Sequence, residues 1–314
     1  MNLFVFFTGI GLVAEKVLAF HTSLPQTFFE KRADLEQSYL LPNQSELQMD
    51  ITRPFADTLR ARGVSRVDNG LSYDTAIKLQ SLIDETLESS IDEVENFRAP
   101  RNFRFANVLE KANRWDLLLP FDEGSIEDRS SDIILQAMSE LVGNGGKIGH
   151  ILDEILGEDA ILYEFACLIS DPGSSRQEIH PDIVFSNDKI PLIACFVSLQ
   201  DIDASMGPTV FIPDTVTADA HERINNENLA DDMLRSIPSC ISTLGTGDCS
   251  LYNPMVLHAG GGNVSNRRRR LFYFTFLNAS IQDPSSHVNP GSINPVLKQK
   301  NMTLKDIREV LDTM

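Results

Sequence analysis

Basic residues are scarce in this 314-residue chain: 27 Lys and Arg stand against 45 Asp and Glu, a net charge of -18. A field of that sign repels phosphate, so no nucleic acid is expected as a partner, and a polyanionic substrate would need a local basic pocket. Cysteine is rare. Cys167, Cys195, Cys240 and Cys249 sit at irregular spacings without a Cys-x-x-Cys pair, which argues against a disulfide framework or a zinc site and predicts four buried thiols. No stable membrane span is expected, because the apolar run Leu3 to Val13 is too short to cross a bilayer. That run, with Val17-Leu18-Ala19 ahead of Phe20, resembles a signal peptide. The following His21, Thr22, Ser23 and Lys31-Arg32 resemble a two-part plastid presequence. No basic residue precedes the run, so a cytoplasmic location stands beside a targeted one.

Apolar residues make up 42% of the chain, enough for one full core. The expected organisation is a targeting segment at 1–20 and a partly helical extension at 21–100. A catalytic domain with its packing helices follows at 101–280, then a C-terminal extension with a short helix at 281–314. A monomer is expected. Helical spacing of Ala76, Leu79, Leu82, Ile83, Leu87, Ile91 and Val94 predicts a helix from Leu71 to Asn96 with an acidic outer face. Further helices are predicted from Ser130-Ser131 to Leu141, stopped by Gly143, from Ile148 to Leu156, and from Thr303 to Leu311. From Ala160 the period changes. Ala160–Ser170, Ile179–Phe185, Pro191–Gln200, Pro208–Ile212, Asp248–Tyr252 and Arg269–Leu277 read as strands punctuated by Pro, Gly, Asn and Asp. The fold expected is mainly β with flanking helices around a double-stranded β-helix, a jelly-roll, cupin-like core whose interior can hold an ion.

His180-Pro181-Asp182 carries the chemistry. Alternate side chains of an extended segment leave the same face, so His180 and Asp182 can reach one ion while Pro181 points away. With His258 from a distant strand they would form two imidazoles and one carboxylate, a facial triad that leaves positions of an octahedral Fe(II) open for a cosubstrate and O2. Asp182 stands where a Gly or Ala would vacate a position for chloride, which disfavours a halogenase of that type.

The stretches from Gln177 to His221 and from Gly247 to Phe276 are similar to the phytanoyl-CoA dioxygenase family of Fe(II)/2-oxoglutarate oxygenases. The likeness rests on His-x-Asp, the strand ending in Gln200-Asp201, Gly207-Pro208-Thr209, Phe211-Ile212-Pro213, and His258 followed by Gly260, Asn263 and arginine. It implies Fe(II) as metal, with 2-oxoglutarate and O2 as cosubstrates. It also implies an arginine eleven residues after the second histidine, here Arg269, to hold the far carboxylate of 2-oxoglutarate bidentately. Strand parity agrees. Arg269, Leu271, Tyr273 and Thr275 share one face, suited to a cavity, and Arg270, Phe272, Phe274 and Phe276 share the other, suited to packing under helices. Arg267 and Arg268 are expected in solvent. Some related enzymes carry a Ser two residues after the arginine; here it is Leu271, and Gln177 and Thr209 are the candidates for the missing contact.

Substrate residues are less defined. Arg114-Trp115-Asp116 resembles a segment leading to the cavity entrance, and a salt-bridged Arg–Asp pair with a packed Trp is the structural alternative. The segment Thr215 to Pro238 reads as a lid or a plain surface insertion, and His221, with polar neighbours, as exposed. Asn43, Asn263, Asn278 and Asn301 match the glycosylation pattern by chance. The expected activity is oxidation of a C–H bond of a small-molecule metabolite, hydroxylation by default, with release of succinate and CO2. Desaturation or ring closure in specialised metabolism, for example of the kainoid type, is the first alternative. A non-catalytic metal-binding scaffold and a zinc hydrolase are the others.

Overall fold

The computed structural model describes residues 44–95, 103–105, 113–119, 121, 132–186, 190–281 and 302–313. The apolar N-terminal run, Asn43 and Asn301 lie outside them. Two sheets face each other. The larger has the order β2(Val64–Val67), β9(Cys249–Tyr252), β6(Leu192–Ser198), β11(Arg269–Leu277), β5(Ile161–Ser170), β4(Arg114–Leu118), β3(Phe103–Phe105). The smaller has the order β1(Gln44–Glu46), β8(Ser239–Ile241), β7(Thr209–Ile212), β10(Leu257–Gly260). This is the two-sheet architecture of a jelly roll, and the segments at 44–46 and 64–67 supply one edge strand to each sheet.

Period-two patterning sorts the side chains into two cores. On β11, Phe272, Phe274 and Phe276 join Cys167, Cys195 and Cys249 in a core roofed by helices, while Leu271 and Tyr273 face the space between the sheets with Ala166, Phe196, Phe211 and Tyr252. The roof is α2(Tyr73–Glu95), α3(Asp132–Val142), α4(Lys147–Leu156) and α7(Leu304–Asp312), with α1(Phe55–Arg62) beside it. Ala76, Leu79, Ile83 and Leu87 of α2 all reach this core, as their spacing of three and four requires. Outside, Asp84 of α2 grips Arg270 through two hydrogen bonds of 2.7 and 2.8 Å, tying the helix to β11. Thr303 and Asp306 form a capping box that starts α7. All four cysteines are free and buried. No helix among the described residues is long and apolar enough to cross a membrane.

Three expectations change. The predicted strand Ile179–Phe185 is reduced to isolated bridge positions at His180, paired with His258, and Ile183, because Asp182 N–H turns to Pro254 O instead of continuing the ladder. The segment Thr215 to Pro238 is neither a lid nor a loose insertion. It folds into α5(Ala218–Ile224) and α6(Glu227–Ser236), which pack Ala220, Ile224, Ala230, Met233 and Leu234 on the outer face of the small sheet. His221 is buried, at 5% exposure. Its Nε2 donates to Met255 O and its Nδ1 accepts from Phe185 N–H, so polar neighbours in sequence masked a histidine that bridges two segments.

Candidate metal and cosubstrate site

The bridge that replaces the predicted strand is what sets the site. His180 and His258 exchange backbone hydrogen bonds of 2.9 and 3.0 Å, and Asp182 N–H donates to Pro254 O, so the two chain segments are locked in register. One ligand atom each from His180, Asp182 and His258 lies within 4.8 Å of the others. His180 Nε2 is 3.6 Å from Asp182 Oδ1 and His258 Nε2 is 3.3 Å from Asp182 Oδ2. Both rings are oriented from behind: Nδ1 of His180 donates to Glu178 O and Nδ1 of His258 to Val256 O. Those bonds fix the tautomer that turns the Nε2 lone pairs inward. Without a metal, where each Nε2 can instead donate to Asp182, burial would push that carboxyl up, but His258 and His180 outweigh it and hold the group far below the usual carboxylate range. Two lone pairs and a carboxylate facing one point need a cation, and nitrogen with oxygen donors suits a divalent transition metal.

Behind this group lies a row of charge. Arg114 and Arg269 both pair with Ser170, one from each side, so the two guanidiniums share the inner face of the large sheet. Arg269 is 0% exposed and Arg114 is 1% exposed. Arg269 Nη2 donates to Ser170 Oγ, while its Nε and Nη1 are buried without a partner. Arg114 Nη2 donates to Ser175 O and Gly261 O, and its Nη1 is likewise unpaired. Burial lowers Arg114 to about 10; burial and then the like charge of Arg114 lower Arg269 to about 9, so both remain cations at neutral pH. Unpaired buried nitrogens on two adjacent cations could receive a carboxylate. The Ser170 hydroxyl serves Arg269 on the side where Leu271 offers none.

Glycine makes room for this row. A Cβ on Gly260 would come within 2.5 Å of Gln177 Oε1 and 2.7 Å of Arg114 Nη1. Gly207, at φ 67°, packs its backbone on Gly262, where a Cβ would lie 2.5 Å from the carbonyl group. Gln177 uses its Oε1 to accept from Gly260 N–H. Thr209 is buried opposite Gly260, on the same face as Phe211, which lies opposite His258.

The Arg114-Trp115-Asp116 run divides between faces. Asp116 accepts from Tyr273 Oη at 3.0 and 3.1 Å on the inner side. Trp115 joins the helix-roofed core and donates from Nε1 to Asp171. Arg114 therefore belongs with Arg269, a grouping that only strand register reveals. Arg268, expected in solvent, is partly buried and pairs with Asp171, whereas Arg267 stays half-exposed beside Asp203. Asn263 is 0% exposed and spends its amide on Ser170 O and Arg267 O.

Several solved structures share this fold. The carbocyclase SnoK from nogalamycin biosynthesis superposes with a TM-score of 0.52 at 12% identity over 73% of this chain and 85% of that one. HygX from Streptomyces hygroscopicus, solved with nickel, 2-oxoglutarate and hygromycin B bound, gives 0.51 at 12% identity over 73% and 88%. The epimerase SnoN, in complex with Fe3+, alpha ketoglutarate and nogalamycin RO, gives 0.50 at 15% identity over 72% and 82%. No curated protein matches the chain in sequence. The sequence model of the phytanoyl-CoA dioxygenase (PhyH) family matches residues 82–271, which hold the whole triad and both buried arginines. The chain belongs to the phytanoyl-CoA dioxygenase family and is an Fe(II)/2-oxoglutarate-dependent oxygenase.

Proposed function

We propose that the protein oxidises a C–H bond of a small-molecule metabolite, by default to an alcohol, while 2-oxoglutarate is converted to succinate and CO2. One observation carries the reading: two imidazoles and a carboxylate converge within 4.8 Å of one another, and two buried guanidiniums with nitrogens to spare sit side by side on the inner face of the large sheet. Bound Fe(II) with 2-oxoglutarate and O2 supplies the oxidising power. The chain's own residues bind and orient. His180, Asp182 and His258 hold the metal, Arg269 and Arg114 grip the far carboxylate, and Gln177 and Thr209 line the cosubstrate's flank. Asp116, fixed by Tyr273, faces the substrate. Trp115 supports that wall from behind.

Ring closure or desaturation is the second reading, favoured by the likeness to a carbocyclase on the same scaffold. Anaerobic addition of Fe(II) and then 2-oxoglutarate should give a visible charge-transfer band in the wild-type protein and none in Asp182→Ala. A well-folded protein without that band would remove the oxygenase reading. Product mass then separates the outcomes, since hydroxylation adds one oxygen and cyclisation or desaturation removes two hydrogens.

A further inference from the structure

A tyrosine stands against the ligand group, and neither spacing nor charge in the sequence singles it out. Tyr252 ends β9 on the inner face of the large sheet, opposite Ala194 of β6. Its ring is wedged between Phe196 and Phe211, at centroid distances of 5.1 and 5.2 Å, and lies 5.0 Å from the ring of His258. Its hydroxyl is 3.3 Å from Asp182 Oδ2. The two phenylalanines leave the ring little freedom, so the position of the hydroxyl oxygen is set by packing rather than by the carboxylate. A phenol is protonated at neutral pH and acts as donor to an ionised carboxylate.

We propose, resting on the oxygenase reading above, that Tyr252 is a positioning residue for the metal centre. Its O–H donates to Asp182 and fixes the plane of that carboxylate, and its ring braces His258. It thereby restrains two of the three ligands, which come from chain segments 76 residues apart in numbering (182 and 258). By occupying a lone pair on Oδ2, the hydroxyl disfavours two-point ligation by Asp182, which would consume a position the cosubstrate needs. Partners of this kind typically contribute 10- to 100-fold to metal affinity.

Tyr252→Phe keeps the ring and removes only the hydroxyl, so it separates positioning from packing. Co(II) titration of metal-free wild-type and variant protein, followed by visible absorption at saturating Co(II), reads affinity and coordination without turnover. The expected result is affinity about 10-fold or more lower in the variant, an altered d–d spectrum when fully loaded, and an unchanged thermal midpoint without metal. A fully loaded variant with the wild-type spectrum and affinity overturns the proposal, whatever its stability. A variant that loses midpoint but keeps both assigns Tyr252 to packing and overturns it equally. Wild-type protein that gives no Co(II) signal at all removes the metal reading itself, which is a distinct failure because it appears before any substitution is made.

Discussion

Two protonated guanidiniums on one row of a sheet are held at a cost, since each is removed from water and each repels the other. Ligand-free protein should therefore become more stable when one is replaced by an apolar side chain of similar length. For Arg269→Met we expect a gain of about 1 kcal/mol or more in denaturant unfolding without ligand. The same variant should bind 2-oxoglutarate about 10- to 100-fold more weakly, the worth of a charge-assisted hydrogen bond of about 1.5–3 kcal/mol. Calorimetric titration checks the second half, and a stabilised variant with intact binding would show that Arg269 does not face the cosubstrate. At this scale His180 and Asp182 are legible in the sequence because alternation along an extended segment is a local rule, and His258 through the family resemblance. Arg114 is singled out there only with Trp115 and Asp116, as a substrate candidate; its place beside Arg269, 155 residues away by numbering, comes from the shared pairing with Ser170. Trp115 shows the same rule from the other side: adjacent residues of a strand serve different cores.

Among the elements, α5 has an unexpected task. His221 on that helix accepts from Phe185, three residues beyond Asp182, and donates to Met255, three residues before His258, so one imidazole spans both metal-bearing segments. Burial lowers its pKa below 6.5 despite the bond to Met255, and the folded state therefore keeps it neutral where the unfolded chain takes up a proton. Stability from this group is complete above about pH 6.5 and is lost as pH falls through the lower folded value. Chemical denaturation between pH 7.5 and 5 should show that loss in the wild type and a flatter profile in His221→Gln. The turn ahead of β7 offers a second test. Gly207 combines a positive φ with backbone contact to Gly262, and Gly207→Ala should cost about 1–3 kcal/mol and loosen the Gly260–Gly262 loop that Arg114 grips through Gly261. The long helix, the main strands and the parity of β11 follow from periodicity. The helices α5 and α6 were hidden because their acidic, Asn-rich surface reads as loop, and the apolar residues that seat them on the small sheet are few.

For the molecule as a whole, folding and ligand capture are linked, because the ligand set and the arginine row exist only when both sheets are closed on each other. Anaerobic Fe(II) with 2-oxoglutarate at about 100 times the dissociation constant should add about 2.7 kcal/mol, or about 4 °C in midpoint for a chain of this size. A chelator should reverse the shift, and no shift would mean that the closed barrel does not bind them. The chain's net charge of -18 is opposite in sign to the two buried arginines on the inner wall. If the two arginines hold 2-oxoglutarate as proposed, it crosses the repulsive shell of that net field to reach an attractive floor, so its capture is slowed at the perimeter and its residence prolonged within. Added salt thins the shell while barely reaching the floor, and moderate ionic strength should quicken the uptake of 2-oxoglutarate, contrary to what a surface-exposed anion receptor would display.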